Sequence, residues 1–152
     1  RFEALIALLE EQQGAQVLLT PRAGDGGIDV IALRHRQIRL IQCKHTLWDA
    51  RVDAEVVAEV MQAFDGYRAR LLRSHTSPWI LQPILVTNGH FTTGACRAAA
   101  ERGIDLVAHN DLCRLLEASP CTPTDIEVME SHRLASMRDV QVSLESLLRA
   151  HR

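Results

Sequence analysis

The sequence predicts an α/β fold in which a mixed β-sheet is flanked by helices. Two apolar runs, at 28–33 and 38–43, surround a short polar break, and this pattern is typical of a β-hairpin. Later in the chain, apolar strand-like runs alternate with segments of helical periodicity, which favours parallel strands covered by helices. Hydrophobic residues make up 47% of the 152 residues, enough to fill the core of one domain.

The first half of the chain is expected to place a helix before the hairpin and another after it. Apolar residues recur at helical spacing from Phe2, and Asp53 is in position to cap the second helix. In chain order, the elements are a helix from Phe2 that Gly14 ends, a strand over 15–20, a glycine-rich turn over 21–27, the hairpin, a loop over 46–49 and a helix over 52–71.

The second half is expected to continue with two more strands. Pro83 interrupts the first of them, and proline suits an edge or an irregular position better than the centre of a sheet. In chain order, the elements are a break over 74–78, a strand over 80–87, a turn over 88–90, a helix over 92–102 that Gly103 ends, a strand over 104–108, and a short helix capped by Asn110 or Asp111.

Two parts are expected: an α/β domain over 1–119 and a helical extension over 120–152. The extension begins with a proline-flanked linker, and Thr124 and Glu127 match the spacing of a capping box. A second helix carries apolar residues from Val140 to Leu148. Three arrangements stay open: the extension packs on the domain, contacts a second copy in a homodimer, or leads into a further module. Because Arg1 already lies within a helical pattern, more sequence is expected upstream.

Composition narrows the function classes. The net charge is −2 and the pI about 6.4, so tight DNA binding by this segment alone is not expected. No apolar run approaches about 18 residues, which argues against a membrane span. The four cysteines show no CxxC spacing and lie in apolar settings, so they are expected to be reduced and buried in a cytoplasmic protein.

Three polar side chains are expected to meet at one end of the hairpin. If the strands pair symmetrically about the break, Arg34 lies opposite Gln37 and Asp29 lies opposite Gln42. Opposed residues share a face of the sheet, and so do residues two apart on one strand. Asp29, Gln42 and Lys44 are therefore predicted to converge. A shift of one residue would separate them.

Lys44 is the only lysine among the 17 Lys and Arg residues. Lysine brings a compact charge with a tunable pKa, whereas arginine brings a planar fork that stays protonated. A chain that uses arginine at every other cationic position and lysine here indicates a need for an ammonium group at this point.

The paired segments Gly24-Asp25-Gly26-Gly27-Ile28-Asp29-Val30 and Ile41-Gln42-Cys43-Lys44 resemble the catalytic domain of Mrr-type restriction endonucleases, in the PD-(D/E)XK nuclease superfamily. The resemblance extends over residues 2–116. It implies a restriction-endonuclease-like fold and metal-dependent cleavage of DNA, often modified DNA. By this likeness Asp29 is the motif aspartate, Gln42 fills the Asp/Glu position, Lys44 is the motif lysine, and Glu3 matches an acid of the first helix. Ile28 departs from the usual proline.

Phosphodiester hydrolysis requires an activated water and neutralisation of the charge on the phosphate, and Mg²⁺, or Mn²⁺ in its place, supplies both. Asp29, the Gln42 amide oxygen and the Cys43 main-chain carbonyl are the expected metal ligands. Lys44 is expected to orient the attacking water or to stabilise the developing charge. Because glutamine removes one negative charge from the site, a second carboxylate is expected from Glu3 or from Asp25.

Other residues near the motif have weaker candidate roles. His45 and His90 are placed to touch phosphate, whereas the Cys43 thiol points away from Gln42 and Lys44 and is read as core. The glycines of 24–27 lack the following Lys-Ser/Thr of a P-loop. Two other functions stay open beside a DNA endonuclease: a non-catalytic DNA-binding or assembly module, and a junction-resolvase-like nuclease. Specificity is expected to come from a module outside this chain.

Overall fold

The computed structural model describes residues 1–22, 27–47, 49–71 and 79–150. Within them, the chain forms six helices and seven strands, in the order α1 (Phe2–Gln12), β1 (Gln16–Leu19), β2 (Val30–Arg34), β3 (Gln37–Lys44), β4 (Arg51–Val52), α2 (Ala54–Leu71), β5 (Ile80–Thr87), β6 (His90–Phe91), α3 (Thr93–Arg102), β7 (Asp105–Val107), α4 (His109–Ala118), α5 (Pro123–Ser131) and α6 (Met137–Ala150). The predicted break over 74–78, Trp48 and the predicted turn at 23–26 lie outside the described residues.

The main sheet is mixed, as predicted. Its five strands lie in the order β1-β2-β3-β5-β7, with antiparallel pairs from β1 to β3 and parallel pairs from β3 to β7. The hairpin has the predicted register, because Arg34 pairs with Gln37 and Ile31 with Leu40. His35 and Arg36 form its tight turn with φ of 51° and 62°, values that a two-residue hairpin turn of the I′ type requires at both positions.

Alternate side chains of the hairpin enter two different cores. Val30, Ala32 and Ile41 pack in one buried cluster with α1, and α4 and α5 also contribute to it. Ile31 and Leu40 pack on the opposite side of the sheet with residues of α2 and α6. A third cluster joins α2 to α3 against Leu85 of β5. The sheet is therefore covered on both faces, which explains its nearly continuous apolar strands.

Pro83 lies in an interior strand, but at a position with a neighbour on one side only. It pairs with Leu40 of β3, whereas β7 pairs with β5 only from Ile84 to Val86. The missing N–H of proline therefore breaks no ladder bond to β7. The Gln82 side chain donates to the Gly103 carbonyl oxygen at 3.1 Å beside this position.

Helix starts were predicted correctly at α2 and α3 and incorrectly at α4 and α5. Asp53 accepts from Glu55 N–H, and Thr92 accepts from Ala95 N–H. In α4, however, Asp111 is the third helical residue and its carboxylate accepts from Ala108 N–H, so neither Asn110 nor Asp111 is the N-cap. The capping box of α5 is formed by Thr122 and Asp125, two residues before the predicted pair Thr124 and Glu127.

A small parallel sheet of β4 and β6 was not predicted. Two residues per strand leave no periodicity to read, and residues 46–52 and 88–91 read as loop, turn or helix start. The pair holds the segment after β3 against the segment after β5, because Ala50 O accepts from His90 N–H at 3.1 Å.

The C-terminal helices pack on the α/β domain from both sides of its β1 edge. Met129 of α5 is buried in the cluster of α1, while Val140, Leu144 and Leu148 of α6 are buried in the cluster of α2. Between the two helices, Leu134 N–H donates to Leu19 O of β1 at 2.9 Å. The segment therefore passes across the edge strand and covers it, a common way to protect an unpaired edge. The division of the chain at 119/120 stays a prediction.

The cysteines are free, as predicted for a reduced protein, but they are not all buried. Cys96 is exposed on α3, and Cys43, Cys113 and Cys121 are partly exposed. Cys96 is exposed because its helix presents its small buried residues, Ala95 and Ala99, to the core. None of the helices in the described ranges is long and apolar enough to cross a membrane.

Candidate active site

Asp29 lies at the end of the hairpin, where its carboxylate is held against the neighbouring strand. Its Oδ2 accepts a hydrogen bond from Cys43 N–H at 2.7 Å, and its own N–H donates to Ile41 O at 2.8 Å. The second contact lies one residue off the β2–β3 register, in which Ile41 pairs with Val30, so Asp29 and Val30 both face Ile41 as in a β-bulge. Asp29 is 8% exposed. Its carboxylate therefore binds the amide that stands between Gln42 and Lys44 in the chain.

The backbone around Asp29 is fixed from the β1 side. The Thr20 hydroxyl donates to Ile28 O at 2.7 Å and to Asp29 O at 3.0 Å, and Thr20 N–H also donates to Asp29 O. Thr20 is fully buried. These bonds tie the first residue of the motif to the edge strand that the C-terminal segment covers.

Gln42 carries a buried oxygen that has no hydrogen-bond partner in the part of the chain described here. Such an atom costs about 1–3 kcal/mol if nothing satisfies it. Gly27 lies beside it with φ of +90°, and a Cβ added there would lie 3.9 Å from Gln42 Oε1 and 3.0 Å from Ala63 Cβ. Glycine at this position keeps the space beside the oxygen open.

Lys44 follows on the same face of β3, beside Thr87 of β5. Within the described ranges, its ammonium group forms no hydrogen bond or ion pair. Lys44 is partly buried. The single lysine of the chain is thus available at the end of the hairpin, whereas Arg1, Arg22, Arg39, Arg114 and Arg133 are ion-paired.

Glu3 lies on the other side of β3, in a cavity of about 320 Å³ that Cys43 and His45 also line. One of its oxygens, Oε2, pairs with Arg133 at 2.9 Å. The Phe2 ring stacks on the His45 imidazole at a centroid distance of 5.3 Å, which positions this wall of the cavity. The structure therefore brings Glu3 to Cys43, while Gln42 faces the α2 side.

Electrostatics connect the two acids through Cys43. Burial raises the pKa of the Cys43 thiol well above its usual range, and the negative charges of Asp29 and Glu3 raise it further. Both carboxylates therefore act on the same residue. A thiol with a raised pKa carries little thiolate, so the structure agrees with a core role for the Cys43 side chain.

A shallow groove of about 410 Å³ lies over Gln42 on the α2 side. Small residues of α2 leave it open, and its lining residues are Gly27, Gln42, Glu59, Gln62, Ala63, Gly66 and Arg70. Glu59 is an acid that sequence reasoning missed. It lies four residues, about one helical turn, before Ala63, so the two share a face of α2. This i,i+4 spacing was the only feature of the sequence that indicated its position in the groove.

The chain after Lys44 is held by Asn88. The Asn88 side chain accepts from Thr46 N–H at 2.8 Å and donates to Thr46 O at 2.7 Å. Gly89 allows the close approach, because an added Cβ would lie 2.6 Å from Ala50 O. His90 is near His109, with ring centroids 5.6 Å apart, and takes no part in these contacts. Asp25, the alternative second acid, lies outside the described residues.

The donor set fits a hard divalent cation that keeps several waters. In the described ranges there is no group of three or more His, Cys, Asp and Glu side chains that would hold a metal. Mg²⁺ does not require one, since it is usually bound through one or two carboxylates with water completing its shell. Asp29, the unsatisfied Gln42 oxygen and the Cys43 carbonyl are oxygen donors of the required kind, and Gly27 leaves space beside them.

Comparisons with known proteins bear on the family and the fold. The family model Mrr_cat, restriction endonuclease, matches residues 1–116. No curated protein matches the chain significantly. Among solved structures, AF1548, described as a protein of unknown function, has a TM-score of 0.58 at 19% identity, covering 98% of this chain and 97% of that one. The likeness to AF1548 therefore extends past residue 116 into the C-terminal helices.

Two restriction endonucleases share the fold as well. MspJI, solved with a 27-mer oligonucleotide, has a TM-score of 0.55 at 22% identity over 86% of this chain and 31% of its own. AspBHI, a DNA modification-dependent restriction endonuclease, has a TM-score of 0.58 at 18% identity over 86% of this chain and 34% of its own. The predicted restriction-endonuclease-like fold is confirmed. This chain spans about a third of either enzyme.

Proposed function

This chain belongs to the Mrr-type restriction endonuclease family, and we propose that it is the catalytic domain of a Mg²⁺-dependent DNA endonuclease. The observation that carries the proposal is the hydrogen bond from Cys43 N–H to the Asp29 carboxylate. It places the acid beside the strand residues that precede and follow Cys43. These are the amide Gln42 and the only lysine of the chain.

The proposed metal ligands are Asp29, the Gln42 side-chain oxygen and the Cys43 main-chain carbonyl. When bound, Mg²⁺ or Mn²⁺ would lower the pKa of a water molecule at the site and neutralise charge on the phosphate. The Gln42 oxygen supports this assignment, because it has no hydrogen-bond partner among the described residues and a bound cation would supply one. Glu3 stays the candidate for the second carboxylate that the Gln-x-Lys motif calls for.

Lys44 has a distinct proposed role, in which its ammonium group binds the scissile phosphate or the attacking water. It has no competing ion pair within the described ranges, and the Asn88 contacts with Thr46 hold the following segment in place. A positive group fixed near the phosphate stabilises charge that develops in the transition state. Lys44→Ala is therefore expected to lower kcat more than it weakens DNA binding.

The test is cleavage of supercoiled plasmid in Mg²⁺ or Mn²⁺ by the wild type, Asp29→Asn and Lys44→Ala. Matched controls are Asp105→Asn and Arg138→Ala, which remove an exposed acid and an exposed cation elsewhere. The proposal predicts cleavage by the wild type and both controls, and loss of cleavage in the two site variants. Equal cleavage by all five proteins would refute the assignment.

The proposed substrate is DNA, with modified DNA as the preferred form. AspBHI is a modification-dependent enzyme of the same fold, and this chain corresponds to only about a third of it. We therefore propose that a module outside this chain selects the site. Net charge −2 predicts weak, sequence-independent binding by the segment alone. Tight sequence-specific retention of a short duplex in a filter-binding assay would contradict this. A cytoplasmic location and a homodimer also stay proposals.

A further inference from the structure

We propose that Arg133, from the connection between α5 and α6, is a positioning residue that holds Glu3 in place for the metal site. This inference rests on the proposed function and adds to it a residue outside the family match at 1–116. It assigns the C-terminal segment a role in the nuclease site in addition to its packing on the sheet.

The Arg133 guanidinium is fixed by three partners from three elements. Nη1 binds Glu3 Oε2 of α1 at 2.9 Å and donates to Thr20 O, just after β1, at 2.7 Å. Nε and Nη2 each bind the Glu130 carboxylate of α5 at 3.0 Å. The Arg133 side chain is only 10% exposed. The guanidinium fork is thus oriented by Glu130 and Thr20, and it presents one nitrogen to Glu3.

Glu3 keeps its second oxygen available. Arg133 holds Oε2, whereas Oε1 forms no hydrogen bond or ion pair with any residue in the described ranges. Glu3 and Arg133 line the same cavity as Cys43, whose main-chain carbonyl is a proposed metal ligand. A carboxylate with one oxygen anchored and the other open is the usual arrangement of an oriented ligand.

The same contacts connect Arg133 to Asp29. Thr20 accepts from Arg133 through its carbonyl and donates through its hydroxyl and N–H to Asp29 O. Arg133 is therefore connected to the motif aspartate, Asp29, through Thr20, and it pairs directly with Glu3, the acid of the first helix.

The experiment compares Arg133→Gln, Arg133→Lys, Glu3→Gln, the double variant Glu3→Gln/Arg133→Gln, and Arg22→Gln. Arg22→Gln is the matched control, because it removes another cation that lines the same cavity and leaves Glu3 paired with Arg133. Two quantities are measured for each folded variant: kcat and KM for plasmid cleavage, and the Mn²⁺ affinity from the rise of the unfolding midpoint with metal concentration.

Arg133→Gln is expected to weaken Mn²⁺ binding and lower kcat by about 10- to 100-fold, the range for residues that orient metal ligands. In the Glu3→Gln background the same change is expected to have less than about a twofold effect. Arg133→Lys restores part of the Mn²⁺ affinity, since it keeps a cation beside Glu3. Arg22→Gln leaves the affinity within about twofold of the wild type.

Two results would overturn the inference. One is an equal loss in Arg22→Gln and Arg133→Gln, which would mean that the loss follows from removing a positive charge from the cavity and not from releasing Glu3. The other is an undiminished effect of Arg133→Gln when Glu3 is already glutamine. Failure of the proposed function is recognised separately, because the wild type would then show neither plasmid cleavage nor stabilisation by Mn²⁺, or Asp29→Asn would match it in both.

Discussion

Gln42→Glu tests the metal site without deleting any group from it. The wild-type amide oxygen is buried and has no hydrogen-bond partner in the described part of the chain, and the Asp29 carboxylate binds the adjacent Cys43 N–H. A glutamate here adds a second negative charge at the same end of the hairpin. Without metal, an uncompensated charge in such a place costs about 3 kcal/mol. For a chain of this length, that corresponds to a fall of about 6–12 °C in the unfolding midpoint.

Metal is expected to reverse the effect. A divalent cation compensates the added carboxylate, so the midpoint of Gln42→Glu in saturating Mn²⁺ should approach that of the wild type. The assay is thermal unfolding in chelator and in Mn²⁺, with Gln62→Glu as the control. Gln62 is an exposed residue of the same groove, and its substitution should change stability by less than about 0.5 kcal/mol. The reasoning fails if both variants have equal midpoints in chelator, or if Mn²⁺ stabilises them equally.

Three further predictions concern the core and the titratable groups. Leu144 of α6 is 1% exposed, so Leu144→Ala should lower the free energy of unfolding in urea by about 2–5 kcal/mol. Val142 of the same helix is 56% exposed, so Val142→Ala should lower it by less than about 0.5 kcal/mol. Similar losses in the two variants would place α6 outside the cooperative core. Because burial raises the pKa of the Cys43 thiol, iodoacetamide should label the exposed Cys96 before Cys43. Mass spectrometry of peptides measures the two rates, and faster labelling of Cys43 would be inconsistent with a buried thiol. The hydrogen bond from Arg133 lowers the pKa of Glu130, although burial opposes this, so the ion pair stabilises the fold at neutral pH and this stabilisation is lost as the pH falls through the lowered pKa. Between about pH 6 and about pH 3, Glu130→Gln should therefore lose less stability in urea unfolding than the wild type does. Parallel losses in the two proteins would contradict the ion pair.

The hairpin was predictable because its determinants are local. Period-two alternation fixes which side chains share a face, and a two-residue turn fixes the register. The pairing of Arg34 with Gln37 follows from these two facts. The strand pairing ends at Val30 with Ile41, so the predicted opposition of Asp29 and Gln42 stays a prediction. A shift by one residue would turn Ile31 and Leu40 to the opposite face of the sheet and out of their cluster with α2 and α6. The packing of these side chains therefore favours the same register as the turn.

Contacts between distant segments were not predictable. Arg133 lies 130 residues from Glu3, in a stretch that reads only as the break between two helices. No pattern in the sequence marks it, since ion pairing depends on how α5 packs on α1. The cap of α5 was misplaced for a different reason: Thr122 and Thr124 offer similar capping chemistry, and the helix begins where Pro123 can occupy its first position.

The position of the site also explains why its metal binding should be coupled to overall stability. Asp29 is held by two direct contacts and one indirect one. Cys43 N–H donates to its carboxylate, the Thr20 hydroxyl donates to its carbonyl oxygen, and Arg133 in turn donates to Thr20 O. The last of these contacts comes from a segment whose flanking helices are buried in different cores on the two faces of the sheet. A loss of packing in either C-terminal helix would therefore disturb the support of Asp29 and Glu3 together. Mn²⁺ binding to the motif residues should stabilise the same contacts, because a ligand that binds only the native arrangement stabilises every part on which that arrangement depends.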